Sequence, residues 1–444
     1  MGQLFLALAE RAARVFYRLR ELGEDVPSEG PLLLVGNHPN GLVDPVLVAA
    51  RTPRRVRFLA KEPLFRMPLL GRMVRGAGAL PVYRPQDGAD ASQNDRTFEA
   101  VFDALGASEV VCLFPEGKSH DEPTLQRLKT GTARMALGAE ARHDFQLGVR
   151  IVPVGLSYRH KASFRSAAAS WVGEPVSCTD LRELHERDAW AAVEELTERV
   201  ARALSAVSLQ LERWEDLALL ELAERLMARR AWAGLEADAS RVERIQALAR
   251  GFAHLREHEP ERAHRLAERL AGFRDRLSTL GIPVDDLGAR YTPGGLARFA
   301  LGNVLRLAVG LPLALAGGLY WSPPYLAARR IARSERYDRD VVATVGLLAA
   351  LVFFPLWWLL GAGLLGWSVG WMGALALLLA APPLGLFAIA FSERWLEASE
   401  DAAVFFRLLR MGELRARLVR RRDELAGEIE SAATELELLL EPSS

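Results

Sequence analysis

The chain has 444 residues, half of them hydrophobic, with 56 basic and 56 acidic side chains and a formal net charge of zero. That length exceeds one ordinary domain and predicts two or three units, while the balanced charge removes any global argument for nucleic-acid binding or a uniformly basic membrane surface. Only two cysteines occur, Cys112 and Cys178, each in or beside an apolar run, so neither a disulfide scaffold nor a cysteine zinc site is supported; both read as buried free thiols.

Residues 2–24 set Phe5, Leu8, Val15, Phe16, Leu19 and Leu22 at mostly helical spacing against Arg11, Arg14, Arg18 and Arg20. This predicts an amphipathic helix that packs on the protein body or lies in a membrane interface. Glu10 and Arg11 interrupt its apolar stretch too early for a signal h-region.

From about residue 30 to 175, the runs PLLLVGN, VRFLA, GALPVYR, EVVCLF and RIVPVGLSY are strand-like and each is followed by polar or Gly-rich punctuation. Continuous hydrophobicity predicts strands buried on both faces, hence an α/β layer fold. Motifs at such strand ends converge on one edge of the sheet, where α/β ligand sites lie.

Residues 180 to 290 change in kind, being rich in Ala, Leu, Glu and Arg. They predict several helices broken near Glu259-Pro260 and Gly281-Ile282-Pro283. No internal repeat is visible.

The 51 residues from Val341 to Phe391 carry no formal charge. A membrane helix needs about 20 apolar residues, so the run holds two spans with a turn near Gly366-Trp367-Ser368. A third stretch, Leu307 to Ala328, contains Pro312, Pro323 and Pro324 and is flanked by arginines on both sides. If it crossed, one arginine cluster would lie on the non-cytoplasmic side; a re-entrant or interfacial segment keeps the charged parts cytoplasmic. After Ser392 the chain reads as a charged helical tail.

These readings divide the chain into an amphipathic helix (1–28), an α/β domain (29–180), a helical region (181–297), a membrane region (298–392) and a charged helical tail (393–444). The membrane region holds a re-entrant or spanning stretch at 303–328 and spans at about 341–365 and 368–391.

The chemistry begins in NHPNGLVDP. On a continuous helix His38 and Asp44 would face different ways, but Pro39 and Asn40-Gly41 predict a turn that folds Asp44, at the start of the next helix, back toward the imidazole. A carboxylate there orients the ring and raises its basicity, so that His38 can take a proton from an alcohol. The plainer reading of such a pair is a helix N-cap beside a structural histidine.

Residues 51–76 hold eight cations against the single acid Glu62, and the strand GALPVYR ends in Arg84. Such a stretch suits a phosphate-bearing substrate or an anionic membrane surface, or is simply a solvated face. In LFPEGKSH an apolar strand stops at a sharp turn that exposes Glu116, Lys118 and Ser119 beside backbone N–H groups, an arrangement suited to anions. Ser119 lacks the G-x-S-x-G elbow of hydrolase serines, and His120-Asp121 has no further ligand cluster at metal spacing. Arginine supplies nearly all the positive charge, and the only lysines are Lys61, Lys118, Lys129 and Lys161. The lysines are either chance survivors of a bias toward arginine or positions where a compact ammonium differs in function from a guanidinium.

Together NHPNGLVD, GALPVYR, FPEGKS, Lys129-Thr130-Gly131 and Ile151-Val152-Pro153-Val154 resemble the ordered blocks of the phospholipid/glycerol acyltransferase family over roughly residues 30 to 180. The sequence departs from the commonest N-H-x4-D form by having five residues between His38 and Asp44. That spacing, with YRHKASFRS and VGEP, is similar to the fungal glycerol-3-phosphate/dihydroxyacetone-phosphate acyltransferase branch and its bacterial relatives.

The resemblance implies an acyltransferase-type sheet flanked by helices, with His38 as general base and Asp44 as its orienting partner. Lys61, Arg84 and Lys129 would hold the acceptor phosphate, with Lys118 and Ser119 beside them, while Glu116 and Gly117 would help position the acceptor or stabilise the site. All four lysines fall in or beside the blocks. The implied reaction acylates glycerol 3-phosphate, or dihydroxyacetone phosphate, from acyl-CoA as co-substrate, without metal or other cofactor. It takes place at a membrane, with the catalytic domain on the cytoplasmic side and no nucleic-acid partner.

The same-class alternative is acylation of 1-acylglycerol 3-phosphate. Alternatives of other classes are a non-catalytic lipid-binding protein and a serine hydrolase acting through Ser119.

Overall fold

The computed structural model describes residues 2–41, 43–67, 70–83, 93–161, 163–211, 213–227, 241–288, 293–332, 342–409 and 411–440. Arg84 lies outside them. The chain divides into two compact units: residues 1–209 with 327–353, and residues 210–326 with 354–444.

The first unit is built on a mixed sheet of eight strands among the described residues: β1 (Tyr17–Gly23), β2 (Leu32–Gly36), β3 (Val56–Lys61), β4 (Leu80–Val82), β5 (Val110–Leu113), β6 (Arg150–Tyr158), β7 (Ser166–Val172) and β8 (Val176–Ser177). They lie in the order β1-β7-β6-β2-β5-β3-β4, with β8 on the early part of β6. Strands β4, β3, β5, β2 and β6 are mutually parallel; β7 turns back antiparallel on β6, and β1 is parallel to β7.

All residues of β2 and β5 are buried because helices cover both faces. Leu33, Val35, Val111 and Ile151 point into one core with α5 (Asn94–Gly106), α6 (Gly131–Arg142) and α8 (Ala189–Val207). The alternate residues Leu32, Leu34, Val110, Cys112 and Val152 point into a second core with α1 (Gly2–Phe16) and α2 (Val43–Ala49). The period of two along each strand makes the two layers. The α/β architecture anticipated from the strand runs is thus present, followed by helices to the end of the described chain.

Three details depart from the local reading. The N-terminal helix stops at Phe16, and Tyr17–Gly23 pairs in register with Ser166–Val172. Neither segment has a strand-like composition, so pairing along the sheet overrides local helical periodicity. The face of α1 on the core is lined by Ala9 and Ala13, while Leu8 and Val15 remain exposed. Finally α8, similar in composition to the later helices, packs on the sheet through Ala192, Val193, Leu196, Val200, Leu204 and Val207. Each of its larger side chains contributes roughly 1.5–3 kcal/mol by burial. Asp188 caps it by accepting from the Trp190 and Ala191 N–H groups. The first unit also contains α3 (Pro63–Arg66), α4 (Leu70–Gly76) and α7 (Arg182–Arg187).

In the second unit, α9 (Trp214–Met227), α10 (Arg241–His258), α11 (Pro260–Leu280) and α15 (Gly412–Leu440) form a helical body around Leu226, Phe273, Leu277, Leu287 and Leu425. Three long helices lie between α11 and α15 in sequence: α12 (Pro293–Ala332), α13 (Val342–Val369) and α14 (Trp371–Leu409). Val345–Val369 and Trp371–Leu396 have mean hydropathies of 2.1 and 2.2 and are long and apolar enough to cross a membrane. They are joined at Gly370, a few residues beyond the expected Gly366-Trp367-Ser368. The stretch expected to be re-entrant or spanning is helical throughout, with Pro312, Pro323 and Pro324 inside it.

Candidate active site

Strand β2 delivers Asn37 and His38 to the carboxyl edge of the sheet. The Asn37 side chain anchors this loop to β6, donating to the Leu156 carbonyl at 2.9 Å and accepting from its N–H at 2.6 Å. The chain then turns through Pro39-Asn40-Gly41, with Gly41 at φ +42° and the Val43 N–H on the Asn40 carbonyl, and enters α2. The anticipated reversal is therefore built, and it buries Asp44 completely.

The Asp44 carboxylate is held by three donors. Its Oδ2 lies 2.8 Å from His38 Nδ1 and accepts the Asn40 N–H at 2.6 Å; its Oδ1 accepts the Tyr158 hydroxyl at 2.6 Å. An ionised carboxylate only accepts, so Nδ1 carries the ring proton and Nε2 the lone pair. The imidazole stacks on Phe114, with centroids 4.2 Å apart and planes 17° from parallel. Burial, then the charge of Asp44, pushes the Tyr158 hydroxyl well above the usual phenol range; burial likewise raises Tyr17. Both stay protonated donors near neutrality. Tyr17 in turn accepts from Asn40 Nδ2 at 2.9 Å and donates to the Lys161 carbonyl at 2.5 Å.

The second loop follows β5, the neighbour of β2. Glu116 is buried; its Oε1 accepts the His38 N–H at 2.9 Å, while Oε2 accepts the Gln126 N–H at 2.7 Å and meets His120 Nε2 at 2.5 Å. The His120 N–H donates back to the His38 carbonyl at 3.1 Å. Both backbone groups of His38 are thus fastened to the Pro115–His120 loop, while Lys161 forms an ion pair with Asp121. Of the two roles implied for Glu116, positioning the acceptor or stabilising the site, these contacts belong to the second, with both carboxylate oxygens engaged in the bracket.

Gly117 takes φ +76°, and a Cβ there would fall 2.6 Å from Lys129 Nζ, so the lysine side chain lies across the space a larger residue would fill.

A cavity of about 810 Å³ opens beside His38. Its lining includes Lys61, Gly117, Lys118, Ser119, Lys129 and Arg134 together with the apolar Leu6, Val46, Phe58, Leu64, Leu348 and Leu351. Of the expected site residues, His38, Lys61, Gly117, Lys118, Ser119 and Lys129 therefore share one cavity. Asp44 and Glu116 stand behind it. Sequence reasoning missed Tyr158, Asn40 and Phe114, although the aromatic ending the buried run RIVPVGLSY was a signal. It also missed Leu347, Leu348 and Leu351, for which no signal existed. Among the described residues, no group of three or more His, Cys, Asp or Glu side chains is placed to hold a metal.

A histidine–aspartate pair at the carboxyl edge of an α/β sheet, facing a cavity lined by both cationic and apolar side chains, is the arrangement of a base-catalysed transfer site. Residues 18–157 match the family model described as Acyltransferase, and the chain carries a domain of that family. Glycerol-3-phosphate O-acyltransferase 2 of Saccharomyces cerevisiae is 37% identical over 139 residues, 31% of this chain and 19% of that protein. Glycerol-3-phosphate O-acyltransferase 1 of the same yeast is 26% identical over 280 residues, 58% of this chain and 36% of that protein. An uncharacterized acyltransferase of Schizosaccharomyces pombe is 25% identical over 431 residues, 74% of this chain and 63% of that protein. The chain spans less than two thirds of the length of each of these relatives.

Proposed function

We propose that the chain is a membrane-bound O-acyltransferase that moves a fatty acyl group from acyl-CoA to a hydroxyl of glycerol 3-phosphate, the step that leads to phosphatidic acid. The observation that carries this reading is the 2.8 Å contact between His38 Nδ1 and Asp44 Oδ2 beside a cavity lined by both cationic and apolar side chains. The names of the yeast relatives support glycerol 3-phosphate as acceptor.

In the reaction, His38 Nε2 takes the hydroxyl proton while the oxygen attacks the thioester carbonyl carbon. Buried Asp44 stabilises the resulting imidazolium. The tetrahedral intermediate collapses by breaking the C–S bond, and the imidazolium returns its proton to the departing sulfur. The products are an ester and free CoA, with no acyl-enzyme. Lys129 and Lys61 offset the acceptor's phosphate charge, and the apolar side chains lining the cavity take the acyl chain. Helices α13 and α14 would hold the protein in the bilayer, and the arginines flanking the charge-free run support a cytoplasmic side for its charged parts, the catalytic domain included.

The test offers purified protein glycerol 3-phosphate, dihydroxyacetone phosphate and 1-acylglycerol 3-phosphate in turn with labelled acyl-CoA. Incorporation is expected into glycerol 3-phosphate, and in His38→Ala it falls by at least about a hundredfold. Activity on the lyso-lipid alone moves the assignment to the second acylation. Undiminished activity in His38→Ala removes the mechanism.

A further inference from the structure

Residues 307–326 of α12 carry no formal charge, and Arg306 precedes them while Arg329 and Arg330 follow. One face of this stretch is pressed against the other two long helices. A Cβ on Gly317 would lie 2.2 Å from the Leu384 carbonyl oxygen, and one on Gly310 would lie 2.5 Å from the Phe391 ring. Trp321 Nε1 donates to the Ala381 carbonyl at 2.8 Å, and Trp357 Nε1 donates to the Tyr320 carbonyl at 2.8 Å. Glycine seams and indole N–H groups satisfied by helix carbonyls are the packing used where water is absent. The opposite face leaves Val309, Leu315, Leu319 and Leu326 more than half exposed. This surface is continuous in kind with the exposed leucines of α13 and α14, Leu356, Leu359 and Leu379 among them.

The contacts also define a direction. Gly310 meets Phe391 and Gly317 meets Leu384, so α12 begins by running antiparallel to α14. Tyr320 and Trp321 reach Gly361 and Ala381, about midway along the hairpin toward Gly370. Ala332, at the far end of α12, is back beside Gly346 in the first turns of α13. Between these points stand Pro323 and Pro324, which together remove two backbone donors and permit a bend.

Chain connectivity imposes the same answer. The helices before α12 and the helix after α14 share one core, in which Leu226, Phe273 and Leu277 pack with Leu418 and Leu425. Arg415 Nε donates to the Leu287 carbonyl at 3.0 Å, and Arg269 pairs with Glu428. The chain must therefore return to the side from which it left. With α13 going out and α14 coming back, α12 contributes no net crossing.

We infer that α12 is a re-entrant membrane element: it dips beside the α13–α14 hairpin, bends at Pro323-Pro324 and leaves on the same side, with its outer leucine face on lipid acyl chains. The inference rests on the membrane placement of α13 and α14.

The test uses full-length chains reconstituted in sealed vesicles, each with one added cysteine at an exposed position: Ser278→Cys, Arg330→Cys, Ser431→Cys or Ser368→Cys. A membrane-impermeant maleimide is added outside before or after permeabilisation, and the parent chain, whose two cysteines are buried, supplies the blank. Positions 278, 330 and 431 are expected to react from one side and 368 from the other. If Arg330→Cys reacts together with Ser368→Cys, α12 crosses and the inference falls while the hairpin stands. If all four react from one side, the hairpin does not cross, and the membrane reading falls with the inference. A bimane on Leu319→Cys is expected to lose most of its fluorescence in vesicles of brominated phosphatidylcholine; unchanged emission would remove the outer face from lipid and overturn the inference.

Discussion

Tyr158, the last residue of β6, donates its hydroxyl hydrogen to Oδ1 of Asp44 at 2.6 Å, while the other oxygen of the same carboxylate holds the His38 ring at 2.8 Å. Because the Asp44 carboxylate is fully buried, each such donor stands in for its lost hydration. The phenol thereby acts on the base through Asp44, without touching substrate.

Tyr158→Phe keeps the ring and deletes only that hydrogen bond. A hydrogen bond to a charged group contributes about 1.5–3 kcal/mol, so kcat should fall about tenfold or more while KM for both substrates stays close to the parent value. A parallel rise in KM would reduce Tyr158 to a packing residue.

Gly117→Ala asks for a side chain where φ is +76° and Lys129 Nζ would be 2.6 Å from the new Cβ. The strain costs about 1–3 kcal/mol, and the lysine must move. We expect KM for glycerol 3-phosphate to rise with a smaller change in KM for acyl-CoA. Lys129→Met, which keeps the length and removes the charge, should show the same split without the backbone strain. Equal effects on both substrates in steady-state kinetics would argue against Lys129 on the phosphate.

Leu351→Trp places a larger ring on the apolar wall of the cavity. Comparison of acyl-CoA donors of graded length should show the optimum shifting to shorter chains, with activity on the shortest retained. A uniform loss across the series would place the acyl chain elsewhere.

Alkaline pH should unfold the first unit ahead of any effect near neutrality. Burial, then the charge of Glu140, pushes the Cys178 thiol up from 9.0 to about 12, and burial raises Cys112, Tyr17 and Tyr158 as well. A group whose folded value is raised contributes stability that is complete below its unfolded value and lost as pH climbs toward the folded one. For Cys178 that window runs from about 9 to 12. Denaturant melts in detergent should be flat from pH 7 to 8 and fall steeply above 9, with a shallower fall in Cys178→Ala. A slope unchanged in that variant would remove the thiol from the account.

Much of the catalytic edge is legible because its signals are local. The five-residue spacing between His38 and Asp44 requires a reversal, Asn40-Gly41 supplies it, and the turn forms. The apolar runs of β2 and β5 bring two loops to adjacent strand ends, since parallel neighbours share their carboxyl edge. Glu116 shows the limit of such reading. Its place in the turn after β5 marks it as part of the site, yet whether the carboxylate faces ligand or the His38 backbone depends on which N–H groups come within 3 Å.

The sequence by itself determined the two-faced strands, the histidine–aspartate turn, the ordered blocks of an acyltransferase-type domain and the long charge-free run, because each is written in neighbouring residues. The tertiary structure alone decided that Tyr17–Gly23 is a strand, that Tyr158 holds Asp44, and that Leu348 and Leu351 wall the cavity of His38. Those outcomes depend on partners tens to hundreds of residues away, and the free energy that selects them comes from burial and pairing that exist only once the chain has closed on itself.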